Sequence, residues 1–224
     1  MLELITDLTI KYVPAFLAVL LVLPIHEFAH AFAAVKSGDP TPKFNNRYTM
    51  NPLAHFDTLG LVCFVLCGFG WAKPVPVNPY NFKSYKKGCF WVSIAGVAAN
   101  YMLAFIAMPL FVLSLYIPNF GLFTEILQIT LSNVYSFSLF FIVFNLLPFY
   151  PLDGFRVIDV FNRRHGKVYR FLRDYGRYVL LIFFGLSILA DITGIFYLDI
   201  LGIIVSIGSS IIGYPITMFW GLFF

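Results

Sequence analysis

Residues 12–35 form a predominantly apolar run long enough to cross about 30 Å of hydrocarbon as a helix. In lipid a backbone must satisfy its own hydrogen bonds, so such a run can be a helix and little else. Its second half carries His26-Glu27-Phe28-Ala29-His30. Histidines four apart on a helix share a face, so both imidazoles can reach one metal ion. Glu27 projects beside them, where a carboxylate can take a proton from metal-bound water. Ionisable side chains are expensive in a membrane span and mark a functional site by default. The competing reading is a chance match, or two histidines hydrogen-bonded in a helix-packing seam.

The rest of the chain has the same character. It is 60% hydrophobic, 19% aromatic and 12% charged over 224 residues, with mean hydropathy +0.84. A soluble domain carries about twice that charged fraction. The expected fold class is a membrane all-α protein: a polytopic helical bundle of about five transmembrane helices, forming one domain. Its catalytic core is expected near residues 10–160 and its C-terminal helices near 178–222. The net charge of +4 is no nucleic-acid signature, because the basic residues sit in juxtamembrane loops. The N-terminus is acidic (Glu3, Asp7) where a signal peptide would be basic, so no cleaved leader is expected. Cys63, Cys67 and Cys89 read as small packing residues rather than metal ligands.

Four further spans follow at 90–116, 126–147, 178–190 and 196–219. Residues 59–71 are apolar but too short to cross as a helix, and their glycines suggest a re-entrant or β-hairpin element. Pro74, Pro76 and Pro79 then forbid helix and central strand, leaving an extended edge to which a strand-like substrate could add. Loop charge gives orientation. Lys36, Lys43, Arg47, Lys73, Lys83, Lys86 and Lys87 lie between the first and second spans, and seven more cations lie between Arg156 and Arg177. The other side holds Glu3, Asp7, Glu125, Asp191 and Asp199 against Lys11. The positive-inside rule places the N-terminus outside and both basic regions in the cytoplasm. The HExxH end of the first span and Asp153 then face the same leaflet.

A hydrolytic zinc takes three protein ligands and keeps a position for water. Asp153, between Pro148, Pro151 and Gly154 at the membrane boundary, is the best third ligand. On placement alone the alternative is an Asp-Gly turn, or a cap on the segment that begins at Phe155. HEFAH in a first span, Asn145-Leu-Leu-Pro-Phe-Tyr-Pro-Leu-Asp-Gly154 and Gly70-Trp-Ala-Lys-Pro-Val-Pro-Val-Asn-Pro79 together resemble the site-2 protease family of intramembrane metalloproteases. The resemblance covers about residues 15–160. It is closest to a short bacterial subgroup without a peptide-binding insert, since only a short loop near 117–124 joins the second and third spans. It departs from the family at Ala95-Gly96-Val97, where a proline is often found in place of Val97.

The resemblance implies one Zn2+ per chain on His26, His30 and Asp153, with Glu27 as general base. It implies cleavage of a transmembrane protein substrate in the bilayer, in a bacterial cell membrane, with the site near the cytoplasmic face. Asn100 and Asn145 read either as hydrogen-bonding glue between helices or as substrate and oxyanion residues, as the resemblance suggests. His55 reads as a proton-transfer partner of the site or as an interfacial loop residue. A regulatory membrane partner or a second copy of the chain leaves no mark in the sequence. The rivals are a metal-ion carrier and a catalytically silent relative that only binds transmembrane segments. Against the first, the two halves show no internal repeat. Against the second, both histidines, Glu27 and Asp153 are all present.

Overall fold

The computed structural model describes residues 2–60, 72–162 and 164–224, with the side chains of residues 2–4 left aside. The expected re-entrant or hairpin element, with Cys63 and Cys67, falls mostly at 61–71 and lies outside the described residues. Helix α1 runs Leu2–Ser37, and two single-turn helices follow, α2 (Thr41–Phe44) and α3 (Pro52–His55). The long helices α4 (Tyr85–Ser114) and α5 (Leu122–Leu146) precede a short α6 (Asp153–Phe161). Helices α7 (Lys167–Thr193) and α8 (Ile200–Trp220) complete the chain. Five of these helices, α1, α4, α5, α7 and α8, are long and apolar enough to cross a membrane. The chain is the expected all-α membrane bundle.

Two boundaries differ from the expectation. Helix α1 begins at Leu2 rather than at residue 12, carrying Glu3, Asp7 and Lys11 in its first turns. Helix α7 begins at Lys167 rather than 178, because the basic stretch is itself amphipathic. Tyr169, Gly176 and Leu180 recur on a buried face, while Lys167, Arg170, Arg173 and Arg177 stay exposed.

Helices α1, α4 and α5 make the central trio. Ala18 and Val22 of α1 meet Ala107 of α4 and Val134 of α5 in one buried cluster. Ala104, Leu139, Ile142 and Ile216 join α4, α5 and α8 in another. Lipid tails are as apolar as leucine, so close backbone approach through small residues, rather than water exclusion, holds such contacts together. Leu21, Met102, Ile106, Leu113, Leu181 and Ile211 point outward and exposed, which suits a surface facing lipid. Between α3 and α4 the chain is extended: Ala72 bridges antiparallel to Phe56, and the Lys73 N–H donates to the His55 carbonyl at 2.7 Å. This ribbon, the middle of α1, one face of α4 and the start of α6 surround the site.

Candidate metal centre

The second half of α1 puts His26 and His30 on one buried face, with their Nε2 atoms 3.0 Å apart. Asp153 is the first residue of α6, and its Oδ2 lies 3.0 Å from His30 Nε2 and 3.4 Å from His26 Nε2. Ligands about 2.0–2.1 Å from a tetrahedral zinc sit about 3.3 Å from one another. The three donors have that spacing. Asp153 Oδ2 is buried with no hydrogen-bond donor, so the carboxylate turns an unsatisfied lone pair toward the two rings. Two imidazoles and one carboxylate are a donor set that zinc accepts. Among the described residues, these three form the cluster of histidine, cysteine and carboxylate groups able to hold a metal ion.

Each ligand is fixed from behind. His30 Nδ1 lies 2.7 Å from the Val92 carbonyl, an acceptor, so Nδ1 carries the proton and Nε2 keeps its lone pair for the centre. Gly96, one turn along α4 from Val92, lets that helix approach: a Cβ there would lie 2.5 Å from both His26 Cε1 and His30 Nε2. Gly154 does the same for α6, since a Cβ there would overlap the Leu146 and Leu147 carbonyls. With α6 tucked under the end of α5, Asp153 reaches the histidines, while its Oδ1 lies 3.5 Å from the Arg156 guanidinium.

Glu27 lines the same cavity, a space of about 590 Å³. Its Oε2 accepts from the Val75 N–H at 3.1 Å. Phe137, Phe140, Phe141 and Phe144 of α5 give one wall an aromatic face. The ribbon is pinned at its far end by Asp39, which is fully buried just beyond α1. Asp39 accepts from the Asn78 N–H at 2.7 Å, Asn81 Nδ2 at 2.8 Å, and the Thr41 N–H and hydroxyl. Those hydrogen bonds lower its pKa against the opposing effect of burial.

The structure therefore brings His26, Glu27, His30 and Asp153 together, with Asn145 on the cavity wall. One N–H of the Asn145 amide is spent on the Phe141 carbonyl at 3.0 Å, leaving its second N–H and its carbonyl. Asn100 is elsewhere. It is fully buried behind His26, 3.2 Å from Nδ1, on the side away from the donor nitrogens. His55 is not among the residues that line the cavity. It is buried at the end of α3, with Nε2 donating to the Thr49 carbonyl at 2.7 Å.

The proposed substrate edge also changes character. The Lys73 and Val75 N–H groups are committed to His55 and Glu27, and Pro74 and Pro76 have none. Asn78 N–H is likewise committed to Asp39, so over residues 73–78 the expected edge keeps chiefly its carbonyl acceptors for an added strand. Gly96, Asp39 and Val75 carry roles that the sequence reading did not assign. Gly96 had a signal in the Ala95-Gly96 that the family pattern shares, and Val75 lay in the extended proline-flanked segment, while Asp39 had none.

A curated protein of Bacillus subtilis (strain 168), "Putative zinc metalloprotease YwhC", is 42% identical over 137 residues, 60% of this chain and 63% of that protein. "Putative zinc metalloprotease Rip2" of Mycolicibacterium smegmatis is 30% identical over 166 residues, 67% of this chain and 59% of that protein. The chain therefore spans about three-fifths of the length of these relatives. No family model matches the chain. No solved structure matches it. The chain is a relative of two bacterial proteins named as zinc metalloproteases, a finding consistent with the site-2 protease family that its motifs resemble.

Proposed function

We propose that the chain is an intramembrane zinc metalloprotease of site-2 type, hydrolysing a peptide bond in or near a transmembrane segment of a membrane-protein substrate. One observation carries the reading. Three metal donors and the Glu27 carboxylate meet at one apolar cavity inside a bundle of membrane-length helices. His26, His30 and Asp153 would hold one Zn2+. Bound there, zinc supplies Lewis acidity, which makes a water acidic enough to attack and polarises the scissile carbonyl.

The chain's own residues do the rest. Glu27 takes the proton released by the attacking water and returns it to the leaving amine. The Val75 N–H holds Glu27 Oε2, so Oε1 is the oxygen left to accept that proton. Asn145 offers its remaining N–H and its carbonyl to a peptide backbone in the cavity. The phenylalanine wall of α5 excludes water around apolar substrate side chains. The basic loops support a site near the cytoplasmic face with the N-terminus outside. The organisms of the two relatives support a bacterial cell membrane.

The test uses purified protein in lipid nanodiscs with a panel of reporters, each carrying one transmembrane segment. Elemental analysis is expected to find one zinc per chain, and a chelator to abolish cleavage until zinc is restored. Glu27→Gln should keep its zinc and lose cleavage by about 10²–10⁴-fold. Cleavage by Glu27→Gln at the wild-type rate would remove Glu27 as the base. Stoichiometric zinc with no reporter cut would favour the silent relative that only binds transmembrane segments.

A further inference from the structure

We propose that Asn100 is a positioning residue for the metal centre: its side-chain carbonyl accepts from His26 Nδ1–H and so aims the Nε2 lone pair of His26 at the ion. The proposal deepens the metalloprotease reading and rests on it. In the structure the Asn100 Nδ2 lies 3.2 Å from His26 Nδ1 and Oδ1 is turned away, with the residue fully buried; a half-turn of the amide exchanges the two ends. A neutral imidazole carries one proton. If the Asn100 NH2 faced the ring, Nδ1 would have to accept, and the proton would sit on Nε2, where it blocks coordination. The carbonyl facing the ring puts the proton on Nδ1 and leaves Nε2 free. Which end of an amide faces a neighbour is assigned from that neighbour's chemistry, and here the ring's role assigns it.

Two further observations point the same way. First, His30 is held in just this manner, with Nδ1 donating to the Val92 carbonyl at 2.7 Å. Val92, Gly96 and Asn100 follow at i, i+4 and i+8, so one stripe of α4 presents an acceptor, a gap and an acceptor to the two rings. Second, Oδ1, the end turned away from the ring, has no hydrogen-bond partner, and turning the amide gives it the His26 Nδ1–H. A buried amide that serves one neighbour costs stability that an apolar side chain would not. Packing between α1 and α4 gives no reason for it, whereas orienting His26 does. Asn100 is also placed away from the cavity, where it touches neither a substrate backbone nor an oxyanion.

The test measures zinc affinity by chelator competition in nanodiscs, with melting of the zinc-free protein followed by circular dichroism. Asn100→Leu, near in size and without an acceptor, is expected to weaken zinc binding about 10–100-fold while the zinc-free melt is unchanged or raised. Asn100→Asp keeps the acceptor and loses the N–H donors, and is expected to bind zinc within about threefold of wild type or more tightly. The proposal is overturned if Asn100→Leu binds zinc as wild type does, or if Asn100→Asp is as weak as a variant with no acceptor. The aspartate arm also decides the matter if the leucine variant does not fold. Wild-type protein that takes up no zinc would overturn the metalloprotease reading itself, and this proposal with it. Wild-type uptake with an indifferent Asn100→Leu would overturn only this one.

Discussion

At the residue scale, the centre depends on what is left out of α4 as much as on what α1 supplies. A methyl group at Gly96 would stand 2.5 Å from His30 Nε2 and from the His26 ring. Neither imidazole can retreat without giving up its partner on α4. Gly96→Ala is therefore expected to lower zinc affinity by at least about 10-fold with helix content unchanged, measured by chelator competition and circular dichroism. Wild-type affinity in that variant would mean that α4 shifts as a body to admit the methyl. The residues of the candidate centre are themselves readable from sequence. The i, i+4 spacing put both histidines on one face, and the Leu-Asp-Gly run put a carboxylate at a helix boundary. The partners of those residues were not readable, because Asn100 meets His26 across 74 positions of chain. The asparagine signalled only that some polar partner existed.

At the scale of elements, the ribbon between α3 and α4 is the piece that sequence placed but did not explain. Alternating prolines excluded helix, and the segment is extended as expected, yet its donors turn inward to His55, Glu27 and Asp39. Asp39 is the anchor, and its effect on stability has a definite sign. Its folded pKa lies below the ordinary value of 3.8, so its contribution is complete above that pH and is lost as pH falls through the lowered value. Asp39→Asn turns an NH2 toward donors that need an acceptor, at a cost of roughly 1–3 kcal/mol. Hydrogen exchange at pH 7 should then show the Asn78 and Val75 amides released in the variant. Wild type should show that release only in acid, below about pH 4. Unchanged protection in Asp39→Asn would remove Asp39 as the anchor. The late placement of α7 has a related cause: charge density was read as loop, although the same residues repeat with helical period on an exposed face.

At the scale of the molecule, the bundle and its five membrane-length helices were plain from composition and run length, because lipid permits so few alternatives. The proposed orientation rests on loop charge and is directly testable. A reporter active only outside the cytoplasm should work when fused after Asn119, between α4 and α5, and fail when fused after Asn162, between α6 and α7. The reverse pattern would invert the proposed topology. The Glu27–Val75 hydrogen bond has one more consequence. It fastens the Glu27 side chain to the extended segment, 48 positions further along the chain. A substitution that displaced that segment would therefore turn the carboxylate as well, without touching any of the three metal donors.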